Sequence, residues 1–310
     1  MLAIIKTTPS GLNRLREFEP GSWIDLVGPT EEELERVSRE LAIPLELLKA
    51  PLDEEEKSRI EVEGELTHVI VDIPVLVRDD SQLFYETIPL GMLIHPDYFI
   101  TTCLRTNPIL GEFERGTIRN FATSWKTRFL LQILHRVAAY YLRYLSRIDR
   151  ESDRLEKEVR ASMKNAEIFD LLSLQKSLVY FTTSLRSNEG VLQRLPRTKS
   201  LKMYEDDEDL LEDVIIENKQ AGEMARIYTD ILTGMMDAFA SLISNNVNQV
   251  MKLLTSLTII LSIPTIVAAF FGMNVHVPFG GYQYGFVIAI AISLAISIGF
   301  AVAFWRKKYF

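Results

Sequence analysis

The chain has 310 residues, 42 acidic against 34 basic, a net charge of −8 and 47% hydrophobic side chains, enough for one large core or two ordinary ones. So acidic a chain is not expected to take nucleic acid as a partner, and a single cysteine, Cys103, excludes an intrachain disulfide and fits a reducing compartment. The average conceals two materials: between Met251 and Trp305 the one charged side chain is Lys252, so every acidic residue and nearly every basic one lies upstream.

The start, "MLAIIKTTPSG", lacks a basic region followed by an apolar run and a cleavage site, so no signal peptide is expected and the bulk is expected in the cytosol. Residues 1–116 read as a cytosolic α/β domain. The runs "SWIDLV", "THVIVDIPVLV", "YETIPLGMLI" and "YFITTCL" are β-rich and separated by turn residues, and "GPTEEELERVSREL" offers a helix with Thr30 and Glu33 in capping-box spacing. A sheet with helices packed on it follows. It contains no catalytic constellation, and the chain has no GxxxxGK[ST] phosphate loop, so neither an enzyme nor an organic cofactor is expected.

Residues 117–204 form the next division. From about Thr117 to Leu195 the pattern is helical and heavily charged, which predicts two long antiparallel helices turning near Asn165, broken by Pro196 in "LPRTKS". Over 205–250, apolar residues recur at Leu210, Val214, Ala221, Met224, Tyr228, Ile231, Met235, Ala238 and Leu242, a coiled-coil-like seam. No strong breaker intervenes before the apolar tail. One helix from about Glu205 to Phe271 would be roughly 100 Å long at 1.5 Å per residue, which predicts a stalk packed against copies of itself.

Residues 251–310 divide into "LLTSLTIILSIPTIVAAFF" and "YGFVIAIAISLAISIGFAVAFW", each close to the ~20 residues that cross a hydrocarbon core of about 30 Å. The short loop between them makes a membrane hairpin. Lys252 precedes the first span, Arg306, Lys307 and Lys308 follow the second, and the loop has no Lys or Arg. The positive-inside rule then places both termini in the cytosol.

A second row on the long helix carries the chemistry. Asp237, Ser241, Ser244, Asn248, Met251, Thr255, Thr258, Ser262, Thr265 and Ala269 step by four and three, so one face of the first span is lined with small hydroxyls above an amide and a carboxylate. Helix packing also favours Ser, Thr and Ala. The second span offers only Ser293 and Ser297, which reads as lipid-facing or packing. Since two spans per chain cannot enclose a polar path, the asymmetry points to a pore made by oligomerising the first span. Met251 and Leu254 would narrow it near the cytosolic boundary, where such rings close by dewetting.

These residues carry a resemblance. "GMN" at Gly272, Met273 and Asn274, at the end of the first of two C-terminal spans, resembles the signature of the CorA family of magnesium transporters. "NQVMKLLT" from Asn248 to Thr255 resembles that family's pore entrance, and "WRKKYF" its basic tail. The resemblance covers the layout of the whole chain. It implies a funnel-shaped homopentamer in the cytoplasmic membrane, magnesium as transported and regulatory ion, and a selectivity filter at Gly272, Met273 and Asn274. It also implies regulatory sites between neighbouring subunits, for which Asp213 in "LLEDVIIE" and Asp79 in "VRDDSQ" are the nearest matches. Family members often carry an acidic residue after the GMN; here "VHVPFGGYQYG" has none, and only His276 can ionise.

A ring of Asn274 amides would hold a hydrated magnesium ion through its water hydrogens without the trapping strength of carboxylates. Two rivals stand beside this reading. Cobalt, nickel or zinc could use the same scaffold; His68, His95, His135, His276 and Cys103 form no ligand-spaced cluster for zinc, whereas the cobalt aqua ion is close in size to that of magnesium. A membrane-anchored coiled-coil sensor or scaffold would need no Thr258, Ser262 and Thr265 on one face.

Overall fold

The computed structural model describes residues 1–9, 11–79, 82–162, 165–198, 200–273, 278 and 283–307, apart from the side chains of residues 78, 79, 82, 83, 162 and 165. The chain forms two compact units, Met1–Thr233 and Gly234–Phe310.

The first unit is built on a sheet of β1 (Leu2–Thr8), β2 (Gly11–Leu15), β3 (Trp23–Val27), β4 (Arg59–Glu63), β5 (Leu66–Asp79), β6 (Gln82–Ile94) and β7 (Phe99–Cys103). Its order is β2-β1-β3-β7-β6-β5-β4, with β3 and β7 parallel and the other neighbours antiparallel. β1, β2 and β4 add to the strands expected from sequence.

Alternation along β3 sends Ile24 and Leu26 to one face and Trp23 and Asp25 to the other. The first face is covered by α1 (Glu31–Leu41) and α2 (Leu45–Lys49), through Leu34, Val37, Leu41 and Leu48. The expected capping box starts α1: the Glu33 amide donates to Thr30 Oγ1 at 3.3 Å and the Thr30 amide to Glu33 Oε2 at 3.0 Å. Ala42, at φ 53°, ends it in the left-handed region.

The second face takes α3 (Pro108–Glu114), α4 (Lys126–Ser162) and α5 (Asn165–Leu192). Phe129 sits at its centre, with ring centroids 5.2 Å from Trp23, 4.4 Å from Phe99 and 5.1 Å from Phe113. On this face Trp23 Nε1 donates to Thr101 Oγ1 at 2.8 Å, and Thr101 donates to Asp25 Oδ1 at 2.6 Å. Burial pushes the Asp25 carboxyl up to about 7; the Thr101 hydrogen bond opposes the rise.

β4 pairs with β5 only as far as Ile70, which leaves the next edge groups of β5 without a strand. Asn188 of α5 replaces it: the Asp72 amide donates to Asn188 Oδ1 at 2.9 Å, and Asn188 Nδ2 donates back to the Asp72 carbonyl at 2.8 Å. Regular helix resumes at Lys126 and not near Thr117, because the turns that follow α3 occupy the intervening chain. α5 opens at Asn165, where the turn was expected.

α6 (Glu205–Phe271) is one helix of 67 residues, as predicted. Within the first unit its buried line is Leu211, Val214, Asn218, Ala221, Ala225 and Leu232. Val214 and Ala221 of the predicted seam belong to it; Leu210, Met224 and Tyr228 are half-buried, and Ile231, Ala238 and Leu242 are exposed. The heptad line through Leu211, Asn218, Ala225 and Leu232 takes their place. Asn218, whose Nδ2 donates to the Leu185 carbonyl at 3.2 Å, interrupts its apolar pattern.

The second unit holds the end of α6 and α7 (Gly285–Arg306). Both helices have an apolar stretch long enough to cross a membrane. Their large side chains point outward: Leu261 is 62% exposed, Phe270 60% and Phe286 78%.

Candidate functional site

α7 meets α6 through small and hydroxylated residues. Gly285, Ala289, Ser293 and Ser297 recur every four residues along its covered face. Ser256, 1% exposed, is the most buried side chain opposite, with the β-branched Ile260, Ile263 and Val267 half-covered on the same side of α6. The sequence reading of Ser293 and Ser297 therefore resolves to packing. Ser256 was not singled out; its four-residue step to Ile260 was the available signal.

The predicted polar row lies elsewhere on α6. At 3.6 residues per turn, Thr255, Thr258, Ser262 and Thr265 project about 150° from the face that meets α7. Within the single chain Asp237, Asn248, Met251, Leu254, Thr255, Thr258 and Thr265 are exposed and Ser262 half-exposed. The helix thus brings the row onto one face that its own hairpin partner leaves uncovered.

Three of the hydroxyl protons on this face are already used. Thr258 Oγ1 donates to the Leu254 carbonyl at 2.8 Å, Ser262 Oγ to the Thr258 carbonyl at 2.7 Å and Thr265 Oγ1 to the Leu261 carbonyl at 3.5 Å. What remains outward is oxygen lone pairs. A face of this kind accepts hydrogen bonds, from water hydrogens above all, and so suits a hydrated cation better than an anion.

At the end of α6 the Gly272 amide still bonds to the Ala268 carbonyl at 2.9 Å, and a 3.4 Å bond from the Met273 amide to the Phe270 carbonyl tightens the last turn. Gly272 does not take the left-handed conformation. A side chain there would instead meet the Ala268 carbonyl, 3.3 Å from an added Cβ. Met273 is exposed; Asn274 and His276 lie outside the described residues. At the other end of the hairpin Lys252, Arg306 and Lys307 are exposed, and Lys308 lies outside the described residues.

Asp213 is exposed and lines a cavity of about 540 Å³ in the first unit, where Arg119, Arg128 and Arg136 face Asp206, Asp209 and Asp213. Arginine thus balances aspartate within the single chain. No group of three or more His, Cys, Asp or Glu able to hold a metal occurs among the described residues. The backbone of Asp79 closes β5 opposite Gln82, and its side chain is outside the description.

Comparison with known proteins bears on both units together. The cobalt/magnesium transport protein CorA of Methanocaldococcus jannaschii is 29% identical over 297 residues, 93% of this chain and 90% of that protein. The magnesium transport protein CorA of Helicobacter pylori is 22% identical over 302 residues, 92% of this chain and 89% of its own length. The complete structure of the CorA magnesium transporter from M. jannaschii superposes with a TM-score of 0.84 at 25% identity, covering 100% of this chain and 99% of that one. The sequence profile of the family described as CorA-like Mg2+ transporter protein matches residues 19–308, and the chain belongs to that family.

Proposed function

We propose that this protein carries divalent cations, magnesium first among them, into the cell through a channel formed by copies of its α6 helix. The observation that carries the proposal is the row Thr255, Thr258, Ser262 and Thr265, turned away from α7, in which Thr258, Ser262 and Thr265 present acceptor oxygens. Family membership and the names of the M. jannaschii and H. pylori relatives support the ion class.

Magnesium gives up its waters reluctantly and holds them at about 2.0–2.1 Å, so a path of neutral acceptors can conduct the hydrated ion. Water hydrogens bond the hydroxyl oxygens in turn, and no site along the row carries a charge that would trap a divalent ion. Asn274 is the filter residue in this reading, with Gly272 ending the helix below it. Asp237 and Asn248 continue the path toward the cytosol, and Met251 and Leu254 close it when the ring dewets.

An inside-negative potential supplies the drive, about 2.3 kcal/mol per charge per 100 mV and roughly twice that for a divalent ion. Five copies form the pore, both termini are cytosolic, and Lys252, Arg306, Lys307 and Lys308 ring its inner mouth. Cytosolic magnesium holds the pore shut at sites completed by a neighbouring subunit through Asp213 and Asp79. The arginines facing Asp213 within one chain accord with a site that needs a second chain's carboxylate. Cobalt is the second reading, favoured by the name of the M. jannaschii relative.

Purified protein in liposomes loaded with a magnesium-sensitive dye tests the function. Magnesium entry should be fast and should rise as the interior is made negative, and Asn274→Ala should reduce it to the leak of empty liposomes while leaving assembly intact. Entry no faster than into protein-free liposomes refutes transport; wild-type entry and calcium discrimination in Asn274→Ala refute the filter.

A further inference from the structure

α6 contains a proline, Pro264, within the membrane unit. A proline has no N–H, so the carbonyl four residues earlier, that of Ile260, loses its helical hydrogen bond. In a hydrocarbon surrounding such a carbonyl must find another donor. Ser297 of α7 supplies one: its Oγ donates to the Ile260 carbonyl at 3.5 Å. Ser297 is 9% exposed and lies on the small-residue line that faces α6. Its behaviour differs from that of the neighbouring hydroxyls, since Ser256, Thr258, Ser262 and Thr265 all donate to carbonyls of their own helix.

The position of this bond gives it a consequence. Thr258, Ser262 and Thr265 straddle Pro264, and their back-bonded hydroxyls further soften the helix around the missing amide. We propose that Ser297 is a positioning residue for the conducting face: by bonding the carbonyl orphaned by Pro264, it fixes the helix at its weakest turn and so sets the alignment of the hydroxyl row. The coupling between Ser297 and Pro264 stands on the geometry alone; its effect on flux rests on the transport reading.

Thr and Val at position 297 have the same shape and differ in the hydroxyl, which separates the hydrogen bond from steric fit. With Pro264 present, Ser297→Thr should keep the melting temperature of the full-length protein in detergent and its maximal magnesium entry rate. Ser297→Val should lower the melting temperature and slow the maximal rate about threefold, the scale of one interhelical hydrogen bond, with the half-saturating magnesium concentration unchanged. In a Pro264→Ala background the restored amide bonds Ile260, so Thr and Val should become equal.

Equal behaviour of Thr and Val with Pro264 present overturns the proposal, as does an equal difference between them in both backgrounds. A melting-temperature difference without a rate difference overturns the positioning role alone. If Pro264→Ala does not fold, the Thr–Val comparison decides. Loss of transport in every variant, wild type included, with the melting-temperature coupling intact, would count against the transport reading and not against the bond.

Discussion

The two units bury opposite kinds of side chain. In Met1–Thr233 the interior is Trp23, Phe99, Phe113 and Phe129, and most ionisable groups lie outside, with Asp25 and Asp207 among the exceptions; in Gly234–Phe310 most large apolar groups are exposed, Phe239 excepted, and Ser256, Ser293 and Ser297 are inside. The same physics produces both arrangements in different solvents. In water, apolar area drives burial, whereas in lipid it gains nothing and helices meet through small residues and hydrogen bonds. A polar row on an outward face of the second unit is then the anomaly, because lipid would reject it, and the function proposed above gives it a surrounding that accepts it, a water-filled path shared between copies.

The largest expected effect tests this contrast directly. Phe129→Ala removes the ring on which the aromatic core converges and should cost about 3–5 kcal/mol, read as a loss of folded protein or a deep fall in melting temperature. Phe286→Ala, a deletion of the same size at a site 78% exposed, should change the melting temperature in detergent little. Equal losses at the two positions would mean that Phe286 is covered in the working assembly and that α7 does not face lipid there.

A smaller effect sharpens the same comparison on the soluble side. Burial raises Asp25 from its ordinary 3.8 to about 7, so the folded protein holds a proton that the unfolded chain releases more readily. This contribution is complete below pH 3.8 and is lost as pH rises toward about 7, at most about 4 kcal/mol. Asp25→Asn should remove that fall, measured as the difference in melting temperature between the variant and the wild type from pH 4 to 8. A difference constant across that range would show that Asp25 does not change its charge there in the folded protein.

Much of this organisation was legible in the sequence, for reasons that differ by element. The long helix and the hairpin could be read because charge vanishes after Lys252 and no strong breaker intervenes before the apolar tail. The α1 start was written in Thr30 and Glu33, a local signal needing no tertiary knowledge. β4 was missed because "RIEVE" alternates charges on a strand with only β5 beside it, and β1 and β2 because their pairing is set by contacts along the sheet. The packing line of α6 was obscured by Asn218, a polar residue satisfied by another helix's carbonyl. Pro264 announced an orphaned carbonyl, but that Ser297 serves it depends on the register between two helices, which no pattern within either one reveals.

The central claim is that the hydroxyl face of α6 lines the ion path. Single cysteines at Thr258, Ser262 and Thr265, and for contrast at Leu253 and Leu257, in a Cys103→Ala background, test it when treated with a small cationic thiol reagent during magnesium entry into liposomes. The account predicts that modification stops entry at Thr258, Ser262 and Thr265 and leaves it unchanged at Leu253 and Leu257. Block at the two leucines, or free entry after complete modification of the three row positions, would contradict it.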